Sequence, residues 1–351
     1  MRASCLINSH NYVRYVGQAV RSALEQTIPF HEIIVVDDGS TDGSLEALRR
    51  EFAGQGTVEI LGKRQAGQLS CFHHGCPLIT GDVVFFLDAD DIYDPDLVDR
   101  CGAIYRQRPD VNFLSVGFRE IGNVRNVKRR MKPTRDRGLS ALASVFNRSW
   151  IGNPTSCLSM KTDLLRKILP YPHEDDWVTR ADDVLVFGAS LAGGHKYHLD
   201  MPLVNYRIHD QNHHARKRFD AAQKLAHALK LNRLMAHYID RMGYDVPSLG
   251  YLLPREFRTI EKPTLRELVS YAKMSSRARV PLHVRLEQYL LMAIHYAQQV
   301  RTPKTDPDAV IQPVGSAEPA SDNAFVPPGI AKPTKTEANC PGGKRPQRRA
   351  A

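Results

Sequence analysis

Two acidic residues, Asp88 and Asp90, flank Ala89 at the end of the apolar run Val83-Val84-Phe85-Phe86-Leu87. Carboxylates this close repel each other, and a divalent cation is the natural compensation. Hard oxygen ligands suit Mg²⁺ or Mn²⁺, ions that bridge to substrate phosphates. Asp94 and Asp96 read instead as caps of the next helix. Two more polar clusters follow apolar runs: Asn8, Ser9, His10 and Asn11 after Ser4–Ile7, and Asp37 with Asp38 after Ile33–Val36. The chain has no GxxxxGK[ST] and no GxGxxG, so neither a P-loop nor a dinucleotide fingerprint is available. Phosphate charge would then be met by the metal and by side chains.

The elements that position these residues alternate in period. Strands are predicted at Ser4–Ile7, Ile33–Val36, Val58–Leu61 and Val83–Leu87. Helices are predicted at Tyr12–Gln26, Ser44–Phe52 and Leu69–Ile79. The continuous β-branched run at 33–36 suits a strand buried on both faces. Strands separated by helices imply an α/β fold with a mostly parallel sheet and right-handed crossovers. Ligands of such sheets bind outside the carboxyl ends of the strands. The three polar clusters therefore converge on one crevice.

The 351 residues carry 48 Lys+Arg against 38 Asp+Glu, a net charge of +10, with 42% hydrophobic content. That composition is globular, and the charge favours anionic partners. No run approaches the roughly 18 apolar residues that span a bilayer. No secretory signal is read, and the six cysteines form no CxxC pair, so a reducing cytoplasmic setting is expected. Composition divides the chain into a part over 1–215 where short apolar runs alternate with helical patterns, a helical part over 216–301 and a Pro-rich basic tail over 302–351 expected to be disordered. The segment Arg125–Arg137 holds seven basic residues and one acidic one. It reads as a solvated loop, with a lid or a contact to an anionic acceptor or lipid as the alternative. The helix from about Arg216 to Met242 has an apolar stripe at Phe219, Leu225, Leu229, Leu234, Met235, Tyr238 and Ile239. It is expected to pack on the 1–215 part, with in-plane membrane attachment as the alternative.

These motifs, in this order, resemble glycosyltransferase family 2, the inverting nucleotide-sugar transferases of GT-A fold. CLINSHNYVRYVGQAVRSALEQT is similar to the family's first strand, polar loop and helix. IIVVDDGSTDGS resembles its nucleotide-binding signature, QAGQLSCFHHG the segment approaching the donor, and GDVVFFLDADDIYDPD its metal-binding signature. The match runs from about Ala3 to Asn212. The resemblance implies that Asn8, Ser9, His10, Asn11, Asp38, Gln68 and Asp88 bind the nucleotide sugar, Ser9 at the base and Asp38 at uracil or ribose. It implies a Mn²⁺ or Mg²⁺ ion on Asp90 and Asp88, with His209 near it. The family's general base is the second acid of a pair opening a helix that leads to a Gly, a strand and YRxH. Counting back from Gly194 and Tyr206-Arg207-Ile208-His209 gives Asp182-Asp183, with Asp183 the base. Glu174-Asp175-Asp176 is then an acidic loop, and His213 and His214 are surface residues.

The implied activity is single transfer of a sugar, hexosyl or N-acetylhexosaminyl, from a donor leaning to UDP onto a saccharide, lipid-linked or protein acceptor in cell-surface polysaccharide synthesis. The implied location is cytoplasmic, with peripheral contact to the inner membrane face as an option. QxxRW, the mark of processive members, is absent. Departures are His10 in place of the usual aromatic residue and Phe72-His73 in place of a frequent Arg-Asn pair. They leave a catalytically silent sugar-nucleotide-binding protein as the competing class. A nucleotidyltransferase gives no reason for an acid pair before YRxH. No specific nucleic-acid partner is expected, because aromatic platforms are not evident near the basic runs.

Overall fold

In a computed structural model, the residues described are 1–123, 129–130, 133–210 and 219–301. The basic run up to residue 132, His213, His214 and the 302–351 tail lie outside them, in whole or in part. The first half alternates strand and helix: β1 (Ala3–Ser9), α1 (Val16–Leu24), β2 (Glu32–Asp37), α2 (Ser44–Glu51), β3 (Val58–Gly62), α3 (Gln68–Gly75), β4 (Val83–Asp88), β5 (Ile92–Tyr93) and α4 (Leu97–Gln107). The long strand β6 (Phe113–Gly122) follows, then β7 (Arg129–Arg130), β8 (Arg135–Gly138), α5 (Ala141–Asn147), β9 (Leu158–Lys161), α6 (Thr162–Ile168), α7 (Asp182–Leu191) and β10 (Lys196–Ile208). The remainder is helical: α8 (Ala221–Arg241), α9 (Val246–Leu249), α10 (Leu253–Phe257), α11 (Leu265–Arg277) and α12 (Leu282–Arg301).

The sheet order is β3-β2-β1-β4-β9-β6-β10-β5, with β7 on β6 and β8 on β10. β1, β2, β3 and β4 pair in parallel, as do β6 and β10. β9 joins these blocks antiparallel to both β4 and β6. Strand alternation sorts the core into two layers. Cys5, Ile7, Ile33, Val35, Phe85 and Leu87 face one side, with α1 and α4, while Leu6, Ile34, Val36, Val84 and Phe86 face the other, with α3, α6 and α7. This is why the strands read as unbroken apolar runs. The helix expected over 69–79 closes at Gly75 and passes into a 3₁₀ turn at Cys76–Leu78, because Pro77 cannot donate to a continuing helix.

Helix α8 opens on a capping box made by Asp220 and Gln223. Its expected stripe divides. Leu234, Met235 and Tyr238 are buried in the layer shared with α7, whereas Leu225 and Leu229 remain 61% and 59% exposed. A third cluster, Leu249, Leu253, Phe257, Tyr271, Met274 and Met292, packs α10–α12 against Leu142 of α5. Buried Glu256 fixes that junction by accepting hydrogen bonds from the Leu142 and Ala143 N–H groups at 2.7 and 2.9 Å and from the Tyr271 hydroxyl at 2.7 Å. Among the described residues no helix is long and apolar enough to cross a membrane.

Candidate active site

The parallel register sets Ser9 beside Asp37 and Asn8 beside Asp88, so the carboxyl ends of β2, β1 and β4 present their polar residues side by side. Three of these atoms, Asn8 Oδ1, Ser9 Oγ and Asp37 Oδ1, are buried without a hydrogen-bond partner. Orphaned polar atoms of this kind are rare in folded chains and mark a site built to receive a polar group.

Around them the loops are tied together. His10 Nδ1 donates to the Asp38 carbonyl at 2.8 Å, which leaves Nε2 to accept from the Asn11 and Gln65 amides, both at 3.1 Å. Asn11 Oδ1 accepts from the Thr41 N–H at 2.8 Å, and Asn11 itself takes the left-handed conformation at φ 57°. Both carboxylate oxygens of Asp38 are engaged within the protein, Oδ1 by Lys63 Nζ at 2.5 Å and the Ala66 N–H at 2.8 Å, Oδ2 by the Gly67 N–H at 2.7 Å. Asp38 therefore shapes the 63–67 loop. Gly67 is required there: its φ is +101°, and a Cβ would stand 2.4 Å from the Val178 Cα.

Gln68 is the hub. Its Nε2 donates to Asp88 Oδ1 at 2.8 Å and to Thr155 Oγ1 at 3.2 Å, while its Oε1 accepts from the Ala181 N–H at 2.9 Å. One side chain thus joins the acidic tip of β4 to the residue preceding the acid pair of α7. Burial, then the Asp90 charge, push the Asp88 carboxyl up to about 7. Asp91 is raised for the same reasons and is held by the Ser156 hydroxyl at 2.6 Å and the Arg207 N–H at 2.8 Å. His209 Nε2 lies 2.9 Å from Asp90 Oδ2, its ring stacked on Tyr15 at 5.0 Å and edge-on to Tyr12 at 5.8 Å.

These residues suit a hard divalent cation. Asp88 and Asp91 are raised by burial and by the Asp90 charge, which added positive charge would relieve, and Asn8 Oδ1, an oxygen donor, is unsatisfied beside Asp88.

Asp182 and Asp183 open α7, where acidic residues complement the helix dipole. Burial and the Asp183 charge raise Asp182, and its Oδ1 accepts from the Asp183 N–H at 3.1 Å. Burial also raises Asp183, while Arg180 and His227 pull it back. The Asp183 side chain is 1% exposed, with Arg180 Nη2 at 3.1 Å and His227 Nε2 at 3.5 Å from Oδ2. Arg180 holds a left-handed backbone at φ 65°, uncommon for a residue with a side chain.

The alternative acidic run lies apart from this pair. Glu174 pairs with His73 Nδ1 at 2.8 Å and Asp176 with Arg233 at 3.0 Å, within a 3₁₀ turn. Phe72 is buried against Phe86, so that departure from the family pattern belongs to the core. Tyr12, Tyr15, Arg180 and His227 are neighbours of the site that sequence reasoning missed. YRxH pointed to Arg207, but nothing in the local sequence marks His227, which reaches the site only through packing of α8.

A second carboxylate–histidine group, Asp110, Asp136 and His195, has ligand atoms within 4.8 Å of one another. It stands at the opposite end of β10, and its carboxylates already have ion-pair partners. Arg108 Nη2 reaches Asp110 at 2.8 Å and Asp136 at 2.5 Å, and His195 Nε2 lies 2.9 Å from Asp136.

Known proteins share the fold and the family signature. The profile of glycosyl transferase family 2 matches residues 4–169. An uncharacterised glycosyltransferase of Nostoc sp. is 28% identical over 251 residues, 70% of this chain and 77% of that protein. The chondroitin synthase of Escherichia coli is 35% identical over 98 residues, 28% of this chain but only 14% of that enzyme. The solved structure of S. aureus TarS 1-349 in complex with UDP-GlcNAc superposes with a TM-score of 0.52 at 17% identity, covering 85% of this chain and 90% of that one. The shared architecture is the GT-A fold.

Proposed function

We propose that this chain, whose residues 4–169 match glycosyl transferase family 2, is a glycosyltransferase of that family that transfers a single sugar from a nucleotide-diphosphate donor, of uridine type, to an acceptor hydroxyl with inversion. The observation that carries this reading is the Gln68 bridge, which couples the acidic tip of β4 to the start of α7. Donor-side and acceptor-side chemistry then share one rigid link. The donor lies against Asn8, Ser9 and Gln68, where the unpaired Asn8 and Ser9 oxygens await partners. His10, Asn11 and Asp38 hold the loops that frame it.

Asp90 and Asp88, with His209, would hold a Mn²⁺ or Mg²⁺ ion, which when bound supplies positive charge to the diphosphate. Asp183 accepts the proton of the acceptor hydroxyl, whose oxygen attacks the anomeric carbon from the face opposite the leaving nucleoside diphosphate. Asp182, raised by burial and by Asp183, keeps its proton and so leaves the charge on its neighbour. The acceptor is a saccharide, lipid-linked or protein hydroxyl, met in the cytoplasm or at the inner membrane face.

A thermal-shift screen of nucleotide sugars with and without Mn²⁺ tests donor class and metal together. Stabilisation by a UDP-sugar that depends on Mn²⁺ is expected. Equal stabilisation by Asp88→Asn, Asp90→Asn protein would refute the assignment. Donor binding without any sugar transfer or hydrolysis would favour the silent binder.

A further inference from the structure

The base proposed above is enclosed, which poses a problem of proton exit. A proton taken from the acceptor by Asp183 has to leave before the next turnover, yet that side chain is 1% exposed. Its two charged neighbours differ in kind. Arg180 stays protonated at any working pH and cannot receive a proton. His227 can, with Nε2 3.5 Å from Asp183 Oδ2 and a side chain 33% exposed.

We propose that His227 of α8 is the proton outlet of Asp183, so that the helical part over 216–301 contributes a positioning residue to the reaction. This rests on Asp183 being the base. His227 acts through Asp183 and does not touch the substrate.

The placement is built. The Trp177 indole meets the imidazole edge to face at 5.9 Å and 87°. The same 3₁₀ turn anchors α8, since Lys230 Nζ donates to the Asp176 carbonyl at 3.1 Å and Arg233 pairs with the Asp176 carboxylate. The groups facing the ring are Arg180 and Lys230, which disfavour its charge, and Asp183, which favours it; burial and Arg180 hold His227 below its ordinary value. A neutral imidazole beside the carboxylate is the form that can accept. Bonds and protons balance. The acceptor oxygen bonds to the anomeric carbon, and the carbon–oxygen bond to the nucleoside diphosphate breaks with its electron pair. The hydroxyl proton passes to Asp183, then to Nε2; the imidazolium loses its Nδ1 proton to water, and tautomer exchange through water returns the remaining proton to Nδ1 and frees Nε2 for the next turnover.

The test uses the full chain. In an NMR titration of the His227 ring, Asp183→Asn is expected to lower the ring's midpoint relative to wild type; an unchanged midpoint overturns the pairing. With the UDP-sugar selected by thermal shift and Mn²⁺, UDP release by His227→Gln is expected to slow about tenfold or more, with donor KM within about twofold. Added imidazole is expected to restore His227→Ala. Melting temperatures verify that both variants fold. Wild-type kcat in His227→Gln alongside an inactive Asp183→Asn overturns the outlet and leaves the base standing. Wild-type kcat in Asp183→Asn overturns the base itself.

Discussion

Strand β10 runs between two carboxylate–histidine clusters, His195 just before its first residue and His209 just after its last. Thirteen residues separate the clusters, roughly 40 Å of extended chain. At the His195 end, Asp136 is buried but receives Arg108 and His195 directly, and Arg108 also takes Asp110 and Glu261. At the His209 end, burial and then the Asp90 charge raise Asp88 and Asp91, and Asn8 Oδ1 beside them is unsatisfied. The residue types are nearly the same. Pairing separates them: in one cluster the buried carboxylate is lowered by direct ion pairs, and in the other the buried carboxylates are raised, which is why the proposed ion is put there.

The sharpest way to break this contrast is to neutralise the acidic end. Asp90→Asn, or Asp183→Asn at the base, is expected to reduce kcat by about 10²–10⁴-fold, the scale of one general base or a comparable charge contact. Folding should survive, since removing a carboxylate from a crowded cluster relieves repulsion. Steady-state kinetics with melting curves measure both. A melting temperature that fell while turnover held would reverse the assignment of the two ends.

Asp136→Asn should do the opposite. Its side chain is 3% exposed, and breaking a buried pair leaves Arg108 and His195 without their main partner. The expected loss is about 3 kcal/mol of stability, with turnover at low temperature retained. Urea denaturation reads the first quantity and an assay at about 10 °C below the new midpoint the second.

The two ends should also respond to pH with opposite sign. Asp88 is raised in the folded chain to about 7 from an unfolded value near 3.8. Its contribution is present below the unfolded value and lost as pH rises through 7. Asp136 is lowered: burial pushes it up, but His195 and Arg108 outweigh burial. Its contribution is present above the unfolded value and lost as pH falls through the folded one. Asp88→Asn should therefore gain on wild type as pH climbs from about 4 to 8, whereas the deficit of Asp136→Asn should vanish in acid. Melting curves from about pH 2 to 8 decide it, the acid half for Asp136 and the upper half for Asp88, and curves that stayed parallel throughout would mean that neither carboxylate is perturbed as described.

The donor half was legible in sequence because its information is local. IIVV followed by DDGS, and VVFFL followed by DADD, each state a buried strand and its polar tip within ten residues. The register that aligns Asn8 with Asp88 follows from parallel pairing of such strands. What escaped was non-local. His227 comes to Asp183 because Leu234, Met235 and Tyr238 bury one side of α8, and the periodic stripe alone wrongly extended that contact to Leu225 and Leu229. The commitment of Asp38 to Lys63, Ala66 and Gly67 was equally hidden, since a motif names a residue without saying which of its lone pairs are already used.

The smallest effect sharpens the comparison from within the balanced cluster. Asp110 meets Arg108 in a two-pronged geometry, Nε to Oδ1 at 3.0 Å and Nη2 to Oδ2 at 2.8 Å, but its side chain is 46% exposed. Solvent screens such a pair, and exposed pairs contribute about 0.2–1 kcal/mol. Asp110→Asn is expected to cost about 0.5 kcal/mol in dilute buffer and close to nothing in 1 M NaCl, where the Debye length is about 3 Å. The Asp136→Asn deficit should persist in the same salt. Divalent cations provide the second arm. If Asp110, Asp136 and His195 held an ion, Asp110→Asn would remove a Mn²⁺-dependent rise in melting temperature. Any such rise is expected to be unchanged in Asp110→Asn and abolished in Asp90→Asn, an outcome that would assign the ion to the His209 end of β10.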